Sequence, residues 1–179
     1  MRRLFFLVIA FVAMTQASFA QDRVFAKHDK VVSASLGLFN ARIQTGSGWK
    51  TALPPILLSG EYGIVDNLIN GKAAIGVGLD VGYVGTKYRD ASTNKFYKYS
   101  NLILDARGAF HYQFVNRLDT YAGLLFGYDI VSGKKRFAES EFVWGYYAGA
   151  RYYFTDRFAV MAELGSSVAL LNVGVAYKF

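Results

Sequence analysis

The chain has 179 residues, a formal net charge of +7 and no cysteine, which excludes a disulfide framework and a cysteine-anchored lipoprotein. Its 18 glycines, 13 tyrosines and 15 phenylalanines, beside only two prolines, favour a tightly curved β-sheet. The modest basic excess points to no particular partner.

The N-terminal segment predicts export. Arg2 and Arg3 precede the apolar residues 4–13, and Ser18-Phe19-Ala20 forms a small-x-small cleavage site. The apolar run is shorter than the roughly 18 residues that a spanning helix needs. We therefore expect residues 1–20 to be a cleaved signal peptide and residues 21–179 to form one domain, whose net charge falls from +7 to +5 without Arg2 and Arg3.

Eight later segments alternate in hydrophobicity with the period of two that is typical of β-strands. They are residues 30–42, 56–64, 72–85, 99–114, 119–130, 141–154, 158–165 and 168–179. Short connections (65–71, 115–118 and 155–157) follow the second, fourth and sixth segments, and longer polar ones (43–55, 86–98 and 131–140) follow the first, third and fifth. Ser166-Ser167 predicts a tight last hairpin. This alternation is typical of an outer-membrane barrel.

The two parities of these segments differ in size and charge. In the fourth segment, Leu102, Leu104 and Phe110 share one parity, whereas Asp105 and Arg107 lie on the other. A soluble ligand-binding barrel would have to enclose the bulky set, but an eight-stranded interior is only just wide enough for side chains to fill. Arg or Lys facing lipid costs about 2–4 kcal/mol at the membrane midplane. The sequence therefore predicts an all-β, eight-stranded, antiparallel up-and-down transmembrane β-barrel with its apolar parity outward.

The strand ends carry two further expectations. Aromatic residues should form two girdles at the membrane surfaces. One comprises Tyr112, Phe114, Tyr152, Phe154, Phe158, Tyr177 and Phe179, at the periplasmic rim if the N-terminus is periplasmic, and the other comprises Tyr83, Tyr128, Phe142 and Trp144. Asn40 and Arg42 share the apolar parity of the first segment, so its far end should leave the membrane or contain a bulge.

The last third of the chain carries a family resemblance. Residues 145–165, GYYAGARYYFTDRFAVMAELG, and 171–179, LNVGVAYKF, resemble the small outer-membrane β-barrel domain family, which is related in architecture to OmpX, OmpW and the OmpA barrel. The resemblance implies a barrel in a Gram-negative outer membrane. It also implies that the barrel-assembly machinery reads the terminal aromatic strand, a role that falls here on Val173, Val175, Tyr177 and Phe179.

The polar parity predicts an interior network. Its main members are Glu61, Asp80, Asp105, Arg107, Arg151 and Glu163, and His111, Asp129, Glu141 and Lys178 share their side of the sheet. Buried charges need partners, so we expect ion pairs that fill the lumen, with Asp105 paired to Arg107 on one strand and Arg151 paired to Glu163 diagonally across the short turn. The alternative is a polar path for small ions.

The sequence offers little for catalysis. A nucleophile needs a base within reach, but His28 lies in the N-terminal tail and His111 has no convincing serine partner. There is no cysteine or histidine cluster for a transition metal. We expect no enzyme activity, no metal site and no cofactor.

Basic residues in the longer loops are the remaining candidate surface. Lys134, Lys135 and Arg136 would face the outer leaflet, as would Lys87, Arg89, Lys95 and Lys98. They could neutralise lipopolysaccharide phosphates through charge-assisted hydrogen bonds, or they could be ordinary solvated loop residues. Nucleic acid is not an expected partner there.

These observations predict a non-enzymatic, monomeric integral outer-membrane protein with a structural or surface-interaction role. Its expected partners are outer-membrane lipids, including lipopolysaccharide, and the barrel-assembly machinery during insertion. The alternative function is a narrow channel for ions or small solutes.

Overall fold

Eight antiparallel strands form a closed barrel. The computed structural model describes residues 23–40, 48–91, 94–133 and 139–179, so the predicted signal peptide and the Lys134, Lys135 and Arg136 triplet lie outside the described residues. The strands are β1 Lys30–Asn40, β2 Trp49–Leu68, β3 Ala73–Arg89, β4 Phe96–Tyr112, β5 Leu118–Ser132, β6 Glu141–Tyr153, β7 Phe158–Gly165 and β8 Ala169–Lys178. Consecutive strands pair, and β8 closes the barrel against β1. The described residues include no helix that could cross a membrane. The predicted up-and-down barrel is confirmed.

Strand β2 is much longer than the predicted segment 56–64. The alternating hydrophobic pattern begins only after Pro54 and Pro55, but the strand itself begins before them, at Trp49. Its register against β3 shifts between Thr51 and Leu53 and again between Leu53 and Ile56. Proline is tolerated at such irregularities and at sheet edges because its missing N–H has no ladder partner to lose.

The two ends of the barrel differ in height. We call the end with the short connections after β2, β4 and β6 the turn end, and the opposite end the loop end. At the loop end β2, β3 and β4 continue as a three-stranded extension beyond the tight β7–β8 connection at Ser166 and Ser167. We call this extension, residues 49–53, 85–89 and 96–100, the lip.

The side chains face as the hydrophobic pattern predicts. Leu79 is 68% exposed, whereas the neighbouring Asp80 is 1% exposed. The two predicted aromatic groups lie at opposite ends of the outer wall; Tyr152, Phe154, Phe158 and Phe179 are exposed near the turn end and Tyr83, Tyr128, Phe142 and Trp144 near the loop end. At the far end of β1, Phe39 has a φ of 61° and both it and Leu38 are exposed, while β1 stays in register with β8 as far as Asn40. Arg42 lies outside the described residues, so the expected exit from the membrane or bulge stays a prediction.

The interior contains more than glycine and charge. Three buried apolar clusters lie along it. The first, at the turn end, is Val24, Phe25, Val31, Ala74, Tyr153, Ala159 and Ala176; the middle one is Ala109, Tyr121, Leu125 and Tyr147; and the third, at the loop end, is Leu57, Val84, Ile103, Val168 and Ala169. The guanidinium groups of Arg107 and Arg151 lie against the Tyr147 and Tyr121 rings of the middle cluster.

Candidate functional site

Strand register aims a set of charged side chains into the lumen. Arg107 on β4 is opposite Gly78 on β3, and Gly78 is opposite Glu61 on β2. Asp119 on β5 is directly opposite Arg151 on β6. Because successive residues of a strand point to opposite faces, these residues and their neighbours two positions away share the inner face. The small residues between them leave room for long side chains.

Arg107 is the centre of one cluster. Its Nη1 lies 3.0 Å from Asp80 Oδ1 and its Nη2 lies 2.8 Å from Glu163 Oε2. Its Nε donates to the Tyr147 hydroxyl over 3.0 Å, and Nη1 also donates to Ser59 Oγ over 3.2 Å. The guanidinium therefore joins four strands other than its own, β2, β3, β6 and β7, and its donors meet acceptors on several sides.

Arg151 belongs to a closed ring of four side chains, with Glu61, His111 and Asp119. It donates from Nη2 to Glu61 Oε2 and from Nη1 to Asp119 Oδ2, the latter over 3.4 Å. His111 joins the same two carboxylates, with Nε2 2.8 Å from Glu61 Oε1 and Nδ1 2.8 Å from Asp119 Oδ1. Carboxylate oxygens accept, so the imidazolium, which donates from both nitrogens, satisfies both contacts. Positive and negative groups then alternate around the ring.

Tyrosine rings connect the two arginine centres. The Arg151 guanidinium carbon lies 4.4 Å from the centroid of the Tyr121 ring, and the Arg107 carbon lies 5.8 Å from the same centroid. Arg107 is also 4.1 Å from the Tyr147 ring centroid. Desolvated cations are stabilised over aromatic faces. Tyr121 therefore holds the ring of four and the Arg107 cluster together.

The ion-pair partners differ from those predicted. Arg151 pairs with Glu61 and Asp119, and Glu163 pairs with Arg107, so the predicted Arg151–Glu163 pair is wrong. Glu163 is diagonal to Arg151 across the β6–β7 pair, whereas Asp119 is directly opposite Arg151 on β5 and Glu61 is reached across the lumen. An arginine side chain is long enough to reach across the narrow lumen.

Of the other predicted interior residues, Asp105 and Asp129 are buried, whereas Glu141 is exposed at the start of β6. Asp105 is buried directly opposite Asp80 in the β3–β4 pair. Nearer the loop end, the Asn101 amide donates to both oxygens of Asp129 over 3.0 and 2.9 Å. Sequence analysis missed Asp119, although its position at the start of a predicted strand, two residues from inward-facing Tyr121, could have revealed it.

The N-terminal segment, residues 23–29, closes the turn end. The Phe25 ring stacks on His111 with centroids 3.9 Å apart. The Val24 amide donates to Gln113 Oε1 over 3.1 Å, and Lys178 Nζ donates to the Val24 carbonyl over 3.0 Å. The sequence pattern predicts an N-terminal tail here, but Val24 and Phe25 are buried. The segment extends the interior network to the end of the barrel.

Close approach of this segment depends on Gly63. A Cβ built on Gly63 would lie 2.0 Å from the Ala26 carbonyl oxygen. In the structure the Gly63 amide donates to the Asp29 carbonyl and the Gly63 carbonyl accepts from the His28 amide, both over 2.9 Å. The segment therefore pairs with the edge of β2 through backbone bonds that only glycine permits here.

The residues predicted to guide assembly lie along the outer wall. Val173, Val175 and Phe179 are exposed, and Tyr177 contacts Phe179 edge-to-face with centroids 4.9 Å apart. Val175 is opposite Ala34 of β1 and Val160 of β7. Their role in assembly remains a prediction.

The described residues hold no cluster of histidine, aspartate and glutamate arranged for a metal ion. Both histidines are engaged, since His28 Nδ1 lies 2.7 Å from the Tyr62 hydroxyl and both nitrogens of His111 face carboxylates. Neither of these contacts is to a serine. The described arrangement is suited to holding charges in fixed positions across the lumen.

A closed eight-stranded barrel with an apolar outer wall, aromatic girdles and buried charges inside is an integral outer-membrane barrel. The sequence matches the model of the outer membrane protein beta-barrel domain over residues 4–179, and the chain belongs to that family. It resides in the outer membrane of a Gram-negative bacterium. No curated protein matches the chain.

Several solved structures are similar to this chain at low sequence identity. The outer membrane protein Ail of Yersinia pestis in a phospholipid bilayer nanodisc is 13% identical, with a TM-score of 0.53 over 86% of this chain and 100% of that chain. Ail in complex with the heparin analogue sucrose octasulfate is 12% identical, with a TM-score of 0.51 over 86% and 99%. Neisserial surface protein A is 14% identical, with a TM-score of 0.48 over 85% and 96%.

Proposed function

We propose that the protein is a non-enzymatic, monomeric, structural barrel whose lumen is closed to solutes and whose loop end makes contacts at the cell surface. The observation that carries this proposal is the bridging of the lumen by Arg107 and Arg151. The side chains of both arginines and of their carboxylate partners are at most 3% exposed. An eight-stranded lumen has room for side chains and not for a water-filled channel as well.

The N-terminal segment, residues 23–29, also supports a closed lumen, because it covers the turn end of the barrel. Phe25 covers His111, and the backbone of the segment is bonded to β2. A solute would have to displace this segment and then break the ring of four. Because unpairing a buried charge is unfavourable by several kcal/mol, such opening is not expected at equilibrium.

Planar-bilayer recording tests the closed lumen. We expect the purified protein to give no single-channel steps under conditions in which a general porin gives many. Uniform steps whose frequency rises with the amount of folded protein would refute the proposal and favour the narrow channel. The double variant Arg107→Ser and Arg151→Ser removes both bridging side chains and is expected to give small steps, whereas Arg157→Ser, at the exposed turn after β6, should remain silent.

We also propose that the outward face of β8 is the assembly signal. Its support is the outward alternation of exposed Val173, exposed Val175 and half-buried Tyr177, which ends at exposed Phe179. Deleting Phe179 should lower the yield of heat-modifiable barrel in the outer membrane, while Phe114→Ala, at an exposed aromatic of the same end, serves as the control. Equal yields from the wild type and the deletion would contradict this role.

A further inference from the structure

Three lysines stand side by side on the outer face of the lip. Lys50 on β2 is opposite Lys87 on β3, and Lys87 is opposite Lys98 on β4. All three are exposed, and no salt bridge within the described ranges involves them. Like charges directly opposite one another destabilise a sheet. The row is therefore unfavourable by itself and creates a strong local preference for an anion.

A hollow lies on the membrane side of this row. Its volume is about 530 Å³, and it is open to the surrounding medium. Gly85 occupies the outward position between Tyr83 and Lys87, and its register partners are Leu53 and Ser100. Ser100 in turn is opposite Ser132 at the end of β5. Small residues thus form the floor, because a glycine and two serines replace the bulky side chains of the rows below.

The lining changes in chemistry along the barrel axis. Lys87 and Lys98 border the hollow on the side away from the membrane, Leu53, Ser100 and Ser132 lie in the row below them, and Tyr83 borders it on the membrane side. Ammonium and hydroxyl groups are donors that suit phosphate oxygens. Leu53 and Tyr83 are exposed apolar neighbours that suit hydrocarbon. The occupant that fits this order is an amphiphile with an anionic head.

We propose that this hollow binds a phosphate group of an outer-leaflet lipid, namely the phosphorylated headgroup of lipopolysaccharide. Lys50, Lys87 and Lys98 neutralise the phosphate, and the hydroxyls of Ser100 and Ser132 donate hydrogen bonds to it. The lipid source follows from the location, because the same wall one row below carries the aromatic Tyr83 of the outer girdle. The inference rests on the proposed function only in placing the loop end at the cell surface.

Lipid binding by the purified full chain tests the site. The triple variant Lys50→Gln, Lys87→Gln and Lys98→Gln is compared with the wild type for binding of diphosphoryl lipid A and of dephosphorylated lipid A in detergent micelles. We expect the variant to bind diphosphoryl lipid A at least about tenfold more weakly, since each lysine near an anionic lipid contributes severalfold. The matched control carries Lys27→Gln, Lys30→Gln and Lys72→Gln, exposed lysines near the turn end, and should bind as the wild type does.

A second variant tests the contribution of the hollow to binding separately from that of the lysine charges. Ser132→Leu fills the floor and leaves all three lysines in place, so it should also weaken binding, whereas the triple Lys→Arg variant should retain it. Excess inorganic phosphate should fail to compete, because it lacks the apolar part of the ligand.

Several outcomes would overturn this inference. They are equal binding of lipid A with and without phosphates, an equal loss in the turn-end control, and full competition by inorganic phosphate, which would indicate a free-anion site. Unchanged binding by the triple Gln variant would do the same. Bilayer recording of the triple Gln variant separates the lipid site from the closed lumen. If this variant gives no conductance steps but binds lipid A as the wild type does, only the lysine site is rejected.

Discussion

Replacing Arg151 with alanine is the sharpest test of the interior network. Its side chain is 1% exposed, and it pairs with Glu61 and Asp119, which are themselves 1% and 3% exposed. The replacement leaves His111 as the only cation of the ring. Removing one partner of a buried pair typically costs 3–5 kcal/mol because the remaining charge is uncompensated. We expect the free energy of unfolding of Arg151→Ala to fall by about 3–5 kcal/mol.

Guanidinium unfolding in vesicles of fixed lipid composition, followed by the fluorescence of Trp49 and Trp144, measures this change. Arg151→Met keeps an apolar stem against Tyr121, so its difference from Arg151→Ala separates the lost packing from the lost charge. In a double-mutant cycle, Glu61→Gln with Arg151→Met should be less destabilised than the sum of the single changes, by about 0.5–3 kcal/mol.

The reference for these values is Arg157→Ala, which removes an exposed arginine that donates to the Tyr177 hydroxyl over 3.3 Å. It should change stability by less than about 1 kcal/mol. If Arg151→Ala were no more destabilising than Arg157→Ala, and the cycle were additive, the ring of four would contribute nothing and the reasoning from buried pairing would be wrong.

Three further changes probe the packing around the network. Gly149→Ala places a Cβ 2.7 Å from the Tyr121 ring and should lower the unfolding free energy in the same assay by about 1–3 kcal/mol. Tyr147→Phe leaves the Nε donor of Arg107 without its acceptor and should lower that free energy by about 1–3 kcal/mol. Gly63→Ala collides with the backbone of the N-terminal segment and should make residues 23–29 sensitive to trypsin, measured by mass spectrometry of the digested full chain; an undigested segment would show that it stays docked.

The barrel is predictable from the sequence because a strand has a period of two and a membrane penalises errors of facing. Segment 158–165 is identical in prediction and structure, and Asp80, Arg107 and Glu163 all lie inside as their parity requires. No long-range information is needed for these conclusions. Each depends only on which neighbours along one strand are apolar.

The pairing of the charges is not predictable in the same way. Arg107 and Glu163 are separated by 56 residues and Glu61 and Arg151 by 90. Their meeting depends on barrel closure, strand register and the reach of an arginine across the lumen. Diagonal neighbours across one hairpin, such as Arg151 and Glu163, are therefore a poor guide to ion-pair partners inside a barrel.

The length of β2 and the docking of the N-terminal segment were not predicted from the sequence, for a related reason. Proline suggests a break when it is considered alone, yet Pro54 and Pro55 lie where the register of β2 shifts and where β1 no longer pairs with it beyond Ile56. Phe25 belongs to no strand, so its burial against His111 carries no periodic signal. Both features are set by what lies beside the segment in the folded barrel.

The two ends of the barrel have separate physical roles. Between the turn end and the middle, Phe25, His111 and the arginine centres connect opposite walls, so a change there is transmitted to the stability of the whole barrel. Among the described strands the lip has no opposite wall at its level, because β7 and β8 end at the Ser166–Ser167 turn. Its lysines can therefore be replaced with little effect on the lumen. We therefore expect stability and the proposed surface contact to be separable by mutation, with Arg151 and Lys87 as the two probes.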